Sequence, residues 1–138
     1  MYERGEGALS KDGEEQRNCP FCSPPAGEIV LENRFWYARH DKYPVSKGHM
    51  LVIPFRHVQD CFGINDGERS TLFELLDGCR AVIDERYAPD GYNIGANIGY
   101  PAGQSVMHCH IHVIPRYAGD VDAPRGGIRG VIPHKRVY

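Results

Sequence analysis

Long hydrophobic runs are missing from this sequence. Within its 138 residues no apolar stretch approaches the roughly 20 residues that span a bilayer, and the start of the chain lacks a basic region followed by an apolar one. Both absences argue against a membrane segment and a secretory signal. We therefore expect a cytoplasmic protein with no membrane partner.

An excess of charge of either sign is missing as well. The chain has 16 Lys and Arg against 18 Asp and Glu, a formal net charge of -2. A nearly balanced chain has no overall attraction to nucleic acid, and no basic stripe interleaved with aromatic residues accompanies it. The sequence therefore gives no reason to expect a nucleic-acid partner.

The chain also lacks the even cysteine set of a disulfide framework, since its cysteines number five. Cys61, Cys79 and Cys109 are scattered through apolar stretches, whereas Cys19 and Cys22 form a close pair. In a reducing compartment we expect free thiols, with the scattered three in the core.

No internal repeat divides the chain, and its length suits one domain. The polar residues 1–17 predict a flexible N-terminal tail. Residues 18–120 carry the apolar patterns of a folded domain. Residues 121–138, rich in Gly, Pro and basic side chains, predict an extended C-terminal arm that wraps the domain or a partner subunit.

Hydrophobic patterning predicts a sheet and one long helix. Asn65, with Glu68 three residues later, is a capping-box start for an amphipathic helix that Pro89 ends, and a short helix is expected near Asp60. Runs of β-branched and aromatic residues predict strands over residues 28–33, 34–41, 49–55, 91–99 and 105–115. This order predicts an α+β fold with an antiparallel sheet of about five strands.

The segment QSVMHCHIHVIPR, residues 104–116, carries three histidines at alternate positions. On a strand, alternate side chains share a face, so His108, His110 and His112 point the same way. The alternative to a functional triplet is that this spacing arose by chance and that the three are ordinary core histidines. The outer two lie roughly 13 Å apart along a straight strand, too far for one metal ion to bind all three. We therefore expect the three histidines to have different roles: one end histidine binds a metal ion or makes a structural hydrogen bond, and the other two face a substrate.

The adjoining loop, GYPAGQS, supplies backbone N–H groups and the Ser105 hydroxyl beside the same face, and such donors bind phosphate oxygens. A neutral imidazole attacks a phosphoanhydride when its other nitrogen donates to a fixed acceptor. We predict that His110 attacks the α-phosphorus while His112 and Ser105 contact the phosphoryl oxygens.

Two motifs carry a family resemblance. GQSVMHCHIHVIPR closely resembles the signature of the histidine-triad (HIT) nucleotide hydrolases and transferases, and YPVSKGHMLVIPFRHV, residues 43–58, resembles the strand leading to their first conserved histidine. The similarity is closer to the branch that cleaves dinucleoside polyphosphates than to the phosphoramidases. It implies a HIT fold over residues 18–120 and a homodimer whose two sheets join into one of ten strands. We expect no organic cofactor.

The resemblance also implies an activity and a site. The substrate would be an adenine nucleotide or a dinucleoside polyphosphate, whose phosphoanhydride the protein would hydrolyse through a covalent nucleotidyl-His110 intermediate. The catalytic residues would be His49, which supports the nucleophile's proton chemistry, with Ser105, His110 and His112. The substrate-binding residues would be Asp41, for the ribose hydroxyls, and Asn97, Gly103, Gln104, Ser105 and His112, for the phosphates. Ile29 and Phe35 are candidates for the apolar base pocket.

A zinc site is expected beside these residues. Cys19 and Cys22 have the C-x-x-C spacing that lets two thiolates bind one tetrahedral zinc ion. His57 and His108 are the candidates for the other two ligands, because several members of the family resemble that arrangement. The alternative is a metal-free or redox-active cysteine pair. We expect a closed, structural site with no part in the chemistry.

Other functions stay open. One alternative is a purine nucleoside phosphoramidase of the same family, and another is a nucleotide-binding regulatory module with little turnover. A zinc hydrolase with a catalytic metal is a third class, against which the spacing of the triplet argues. As a further hypothesis, Arg125 or Arg129 of the arm returns to the site and holds the distal phosphates.

Overall fold

One five-stranded antiparallel sheet organises the molecule. The computed structural model of the protein describes residues 18–138, so the expected flexible tail lies outside the described residues. The strands are β1 (Leu31–Glu32), β2 (Trp36–His40), β3 (Met50–Pro54), β4 (Gly91–Gly95) and β5 (Ile111–Arg116). Their order across the sheet is β1-β2-β3-β5-β4, and every neighbouring pair is antiparallel. The predicted α+β class is confirmed.

The long helix of the described residues, α1 (Asp66–Tyr87), begins where the capping-box pattern predicted. The Asn65 side chain accepts a hydrogen bond from the Glu68 N–H at 2.8 Å, and the Glu68 carboxylate accepts one from the Asn65 N–H at 2.9 Å. These bonds satisfy two N–H groups that a helix start would otherwise leave unpaired. Ala88, in the left-handed conformation, ends the helix just before Pro89.

The helix packs on one face of the sheet and forms the main core. Leu75, Leu76, Cys79 and Ile83 contribute the helical side of it. The other side of the core comes from Trp36 and Ala38 of β2, Met50 and Val52 of β3, Ile111 and Val113 of β5, and Cys109 of the segment just before β5. β3 lies in the middle of the sheet and is buried on both faces, as its unbroken apolar run predicted.

The opposite face carries a smaller apolar cluster. Tyr37, Leu51 and Ile53 project from β2 and β3 and pack with Phe21 of the N-terminal segment. The Tyr37 hydroxyl donates a hydrogen bond to the Phe21 carbonyl at 2.6 Å, which fixes that segment on the sheet. Because none of the helices in residues 18–138 covers this face, its side chains are available to line a site.

All five predicted strands were longer than the observed ones, three of them by four residues or more. The predicted strand 105–115 begins only at Ile111, because the preceding residues bond outside the ladder. The Cys109 N–H donates to the Val58 carbonyl at 2.7 Å, and the Gln104 amide donates to the Val106 carbonyl at 3.1 Å. The predicted strand 28–33 opens as a 3-10 helix, Ala26–Glu28, and leaves only β1, whereas the predicted strand 91–99 ends at Gly95.

The expected short helix near Asp60 is present as the 3-10 helix Cys61–Gly63. The C-terminal arm, expected to be extended, forms two further 3-10 helices, Gly127–Val131 and Pro133–Lys135. The first of these lies against the edge strand β4. Over the described residues, no helix combines the length and the apolar character that crossing a membrane requires.

Candidate active site

A cavity of about 510 Å³ opens on the face of the sheet that lacks the helix. It brings together five residues from the predicted site: Asp41, Asn97, Ser105, His110 and His112. These residues come from separate parts of the sequence, and the sheet holds them together because β5 lies between β3 and β4. The cavity is therefore the candidate active site.

His110 lines the cavity and is only 8% exposed. Its Nδ1 lies 2.7 Å from the His108 carbonyl oxygen. A carbonyl can only accept, so Nδ1 carries the proton and Nε2 keeps its lone pair. The ring also packs edge-on against Phe21, with centroids 5.1 Å apart. His110 is thus held in the tautomer that a nucleophile needs, as the sequence argument required.

His112 has the opposite tautomer, which a chain of two hydrogen bonds determines. The Val45 N–H donates to His49 Nδ1 at 3.2 Å, so the proton of His49 lies on Nε2. That Nε2 is 2.9 Å from His112 Nδ1, which must accept. His112 therefore carries its proton on Nε2, where it can donate to a bound oxyanion. Its ring centroid lies 5.4 Å from that of His110.

The Asp41 carboxylate lies beside this pair of rings. Its Oδ2 is 3.4 Å from His49 Nε2 and 3.9 Å from His112 Nδ1. Burial lowers the pKa of His49, and the negative charge of Asp41 opposes that shift. Burial, together with the nearby His110 and His49 rings, lowers the pKa of His112. Both rings are consequently neutral at pH 7, as the tautomer chain requires.

The loop before the triplet is braced by the Gln104 side chain. Its Oε1 accepts from the Gly99 N–H at 2.9 Å, and its Nε2 donates to the Gln59 carbonyl at 2.6 Å. Gln104 is buried and is not among the residues that line the cavity, which differs from the predicted phosphate-binding role. Gly103 adopts a φ of 97°, a left-handed conformation that favours glycine, and so lets the loop turn near Asn97.

The candidates for the base pocket are placed differently from the prediction. Phe35 packs on the helix side of the sheet, and Ile29 lines a separate depression. The apolar wall of the cavity comes instead from Phe21, Leu51 and Val106. Strand alternation could have identified Leu51, which follows His49 by two residues and shares its face. No local signal pointed to Phe21, which reaches the cavity from a distant segment.

Cys19, Cys22, His57 and His108 form a cluster whose ligand atoms all lie within 4.8 Å of one another. His108 Nδ1 is 3.4 Å from Cys19 Sγ, 3.5 Å from Cys22 Sγ and 3.2 Å from His57 Nδ1. Four ligands at zinc bond lengths are separated by about 3.3–3.8 Å. The cluster therefore has the size and the donor atoms of a metal site.

The orientation of His108 fits the same interpretation. Its Nε2 donates to the Pro54 carbonyl at 2.8 Å, so the lone pair on Nδ1 faces the two sulfurs. Burial lowers the pKa of His108 to about 4, which keeps the ring in its neutral, metal-binding form at pH 7. These four residues could hold a metal ion without rearrangement of the main chain.

The two arginines proposed to return to the site have other contacts. The Arg125 guanidinium lies 5.4 Å from the Tyr138 ring centroid, and that of Arg129 lies 4.6 Å from it. Arg129 also donates to the Arg136 carbonyl at 3.2 Å. Neither side chain lines the cavity around His110. The geometry therefore gives no support to their role in binding distal phosphates.

Known proteins resemble this chain over most of its length. Residues 26–119 match the HIT domain family. A relative named AP-4-A phosphorylase, from Mycobacterium tuberculosis, is 35% identical over 104 residues, which are 75% of this chain and 53% of that protein. A Schizosaccharomyces pombe relative named asymmetrical bis(5'-nucleosyl)-tetraphosphatase is 38% identical over 97 residues, 70% of this chain and 53% of that protein. The chain thus spans about half the length of these relatives.

Solved structures share the fold. A HIT family protein from Bacillus anthracis superposes with a TM-score of 0.69 at 37% identity, over 77% of this chain and 79% of that one. A Zn-bound histidine triad family protein from Mycobacterium smegmatis superposes with a TM-score of 0.67 at 31% identity, over 76% and 79% of the two chains.

Proposed function

The chain belongs to the HIT domain family, and on that basis we propose that it is an enzyme that cleaves the phosphoanhydride bonds of dinucleoside polyphosphates. The observation that carries the proposal is the hydrogen bond from His110 Nδ1 to the His108 carbonyl, 2.7 Å long, which leaves Nε2 free as a nucleophile inside the cavity. The names of the two relatives, which refer to tetraphosphate substrates, support the same substrate class.

The proposed reaction has two displacements. In the first, His110 Nε2 attacks the α-phosphorus, a P–N bond forms, and the P–O bond to the leaving nucleotide breaks. The Nε2–H of His112 and the hydroxyl of Ser105 donate to the phosphoryl oxygens as negative charge develops on them. In the second, water attacks the phosphorus, the P–N bond breaks, and a nucleoside monophosphate leaves.

The remaining assignments belong to the same proposal. Asp41 would bind the ribose hydroxyls, and Asn97 with the Gly103 turn would bind the phosphate. His49 would act through His112, whose tautomer it determines. The base would lie against Phe21, Leu51 and Val106, the apolar wall of the cavity.

We propose zinc as the ion for the Cys19, Cys22, His57 and His108 cluster. When bound, it would cross-link the N-terminal segment to the segment that carries the triplet, and it would take no part in bond cleavage. The distances and the donor set support zinc, and a structural neighbour is Zn-bound. No organic cofactor is needed for the two displacements.

We also propose a cytoplasmic homodimer in which two β4 edges join the sheets. β4 lies at the edge of the sheet, and its Ile94 is 48% exposed. An exposed apolar edge strand favours pairing with another strand. Light scattering on the purified protein would give twice the mass of the 15.5 kDa chain if the proposal is right.

Rapid-mixing experiments with diadenosine tetraphosphate test the activity. We expect an adenylylated protein to accumulate in the wild type and the adenylyl group to map to His110. His110→Ala should lose the intermediate and more than about 10³-fold in turnover. His134→Ala, at an exposed position in the arm, is the matched control. Turnover that survives in His110→Ala would refute the proposal.

The same assay separates the alternatives. Faster cleavage of adenosine phosphoramidate than of the tetraphosphate would favour the phosphoramidase. Tight nucleotide binding with turnover no faster than that of His110→Asn would favour a regulatory module. Phosphate in place of water as the acceptor would yield a nucleoside diphosphate, which chromatography distinguishes from the monophosphate.

A further inference from the structure

Two cysteines outside the metal cluster lie side by side. The Sγ atoms of Cys61 and Cys109 are 3.0 Å apart, although 48 positions separate the residues in sequence. A disulfide bond is about 2.05 Å long, so the two sulfurs would have to approach by about 1 Å to form one. Sequence analysis placed both thiols in the core as unrelated residues, whereas the fold makes them neighbours.

The two thiols differ in access to solvent. Cys61 is the first residue of the 3-10 helix Cys61–Gly63 and is partly exposed. Cys109 is only 1% exposed, and its N–H is bonded to the Val58 carbonyl, so the main chain holds it in place behind Cys61. An accessible thiol backed by a buried one is the arrangement in which a first oxidation product is captured by a second cysteine. Cys79 is fully buried in the main core and lacks that access.

We propose that Cys61 and Cys109 are an oxidative modification site that forms a reversible disulfide in response to hydroperoxides. Cys61 Sγ attacks a peroxide oxygen, the O–O bond breaks, and a sulfenic acid and one molecule of alcohol or water form. Cys109 Sγ then attacks the sulfenic sulfur, and the S–O bond breaks. The leaving hydroxyl takes the proton of Cys109 and departs as water. Two thiol hydrogens and one hydroperoxide are consumed for each disulfide.

The position of Cys109 connects this site to the cavity. It lies directly between His108 of the metal cluster and His110, the proposed nucleophile. Drawing its sulfur toward Cys61 shifts the main chain that positions the His110 ring, and displacements of this order reduce rates substantially. Oxidation therefore lowers turnover. This second part rests on the proposed function, whereas formation of the disulfide does not.

Peptide mapping tests the disulfide directly. Trypsin places Cys61 in residues 57–69, Cys109 in residues 87–116, Cys79 in residues 70–80, and both Cys19 and Cys22 in residues 18–34. After treatment of the folded protein with hydrogen peroxide and alkylation of free thiols, we expect peptides 57–69 and 87–116 to be linked. Dithiothreitol should release them, and Cys79 should be alkylated throughout. Oxidation confined to residues 18–34 would overturn the proposal.

Turnover of diadenosine tetraphosphate before and after peroxide tests the coupling. We expect the wild type to lose most of its activity and dithiothreitol to restore it, while Cys61→Ser keeps its activity and Cys79→Ser behaves as the wild type. A Cys61→Ser protein that loses as much activity as the wild type would show that peroxide acts elsewhere, at the metal cluster for example. If no variant hydrolyses the substrate but the peptides are still linked, the proposed function fails and the modification site stands.

Discussion

The three histidines of the triplet differ because each ring has a different hydrogen-bond partner. His108 donates from Nε2 to the Pro54 carbonyl, and His110 donates from Nδ1 to the His108 carbonyl. His112 accepts at Nδ1 from His49 and keeps its proton on Nε2. The protonated nitrogen thus alternates along the segment, which suits the three rings to the proposed roles of metal ligand, nucleophile and hydrogen-bond donor.

Removing the partner of His112 should impair catalysis more than binding. In His49→Ala, the His112 ring can take either tautomer, so we expect kcat to fall about tenfold or more with a smaller change in KM. Val45→Ala is the matched control, because it keeps the main-chain N–H that bonds to His49. Steady-state kinetics on both variants, with ¹⁵N shifts of the His112 ring, give the measurement. An unchanged kcat in His49→Ala would contradict the tautomer argument.

On the acid side of the pH profile, kcat/KM should depend on the protonation of His49 and His112. Burial lowers the pKa of His49 and of His112 below the usual 6.5, so the fall in kcat/KM that protonation of these two rings causes should lie below pH 6.5. Protonation of His112 at Nδ1 places hydrogens on both nitrogens of the His49–His112 contact and breaks it, whereas protonation of His49 at Nδ1 breaks the hydrogen bond from the Val45 N–H.

The variant Asp41→Asn tests in which direction the acid limb of this profile moves when a neighbouring negative charge is removed. The Asp41 charge raises the pKa of both histidines, so its removal should move the acid limb to still lower pH, whatever happens to the absolute rate. Asp66→Asn, on an exposed turn of the helix, should leave the limb in place. An acid limb that moves upward in Asp41→Asn would be incompatible with this account.

At the scale of secondary structure, local signals were predictable and non-local ones were not. The start of α1 follows from Asn65 and Glu68, which are three residues apart, so the sequence shows both partners together. The start of β5 depends on the Val58 carbonyl, which lies about 50 positions from Cys109 in a loop of irregular geometry. The sequence could therefore identify candidates that the fold brings to one cavity, such as Asp41 and His110, whereas their hydrogen-bond partners and the true length of the strand could not be predicted.

The capping box offers a test confined to one element. Asn65→Ala removes the side-chain acceptor for the Glu68 N–H, and we expect the free energy of unfolding to fall by about 1 kcal/mol. Ser70→Ala, at an exposed position in the same helix, should change it by less than about 0.5 kcal/mol. Urea unfolding gives both values, and kcat should be unchanged in each variant because neither residue lines the cavity.

At the scale of the whole molecule, the sheet separates a thick layer, formed by the helix, from a thin one, formed by the segment around Phe21. The helix covers one face, whereas the face with the cavity is closed mainly by the N-terminal segment around Phe21. That segment is held by the Tyr37 hydroxyl and by the contacts of Cys19 with His108 and of Cys22 with His57. Local sequence patterns could not reveal the apolar wall proposed for the base, because it depends on the contact between Phe21 and the distant strands of the sheet.

Removal of the proposed metal ion should detach the N-terminal segment around Phe21 from the sheet without abolishing catalysis. We expect chelation to lower Tm, to make Cys19 and Cys22 reactive toward thiol reagents, and to raise KM through displacement of Phe21, while turnover at saturating substrate persists. Cys22→Ser should reproduce these effects, and Cys61→Ser should retain one bound zinc by elemental analysis. Complete loss of kcat on chelation would instead indicate a catalytic metal.

Main-chain groups, and not side chains, decide which nitrogen is protonated in His49, His108 and His110. Every residue has a carbonyl, and every residue except proline has an N–H. Mutational drift at Pro54 or at His108 therefore cannot delete the carbonyl acceptors, and at Val45 only proline removes the donor. The neighbouring side chains can therefore change during evolution while the same nitrogen of each histidine stays protonated, as long as the backbone keeps its conformation.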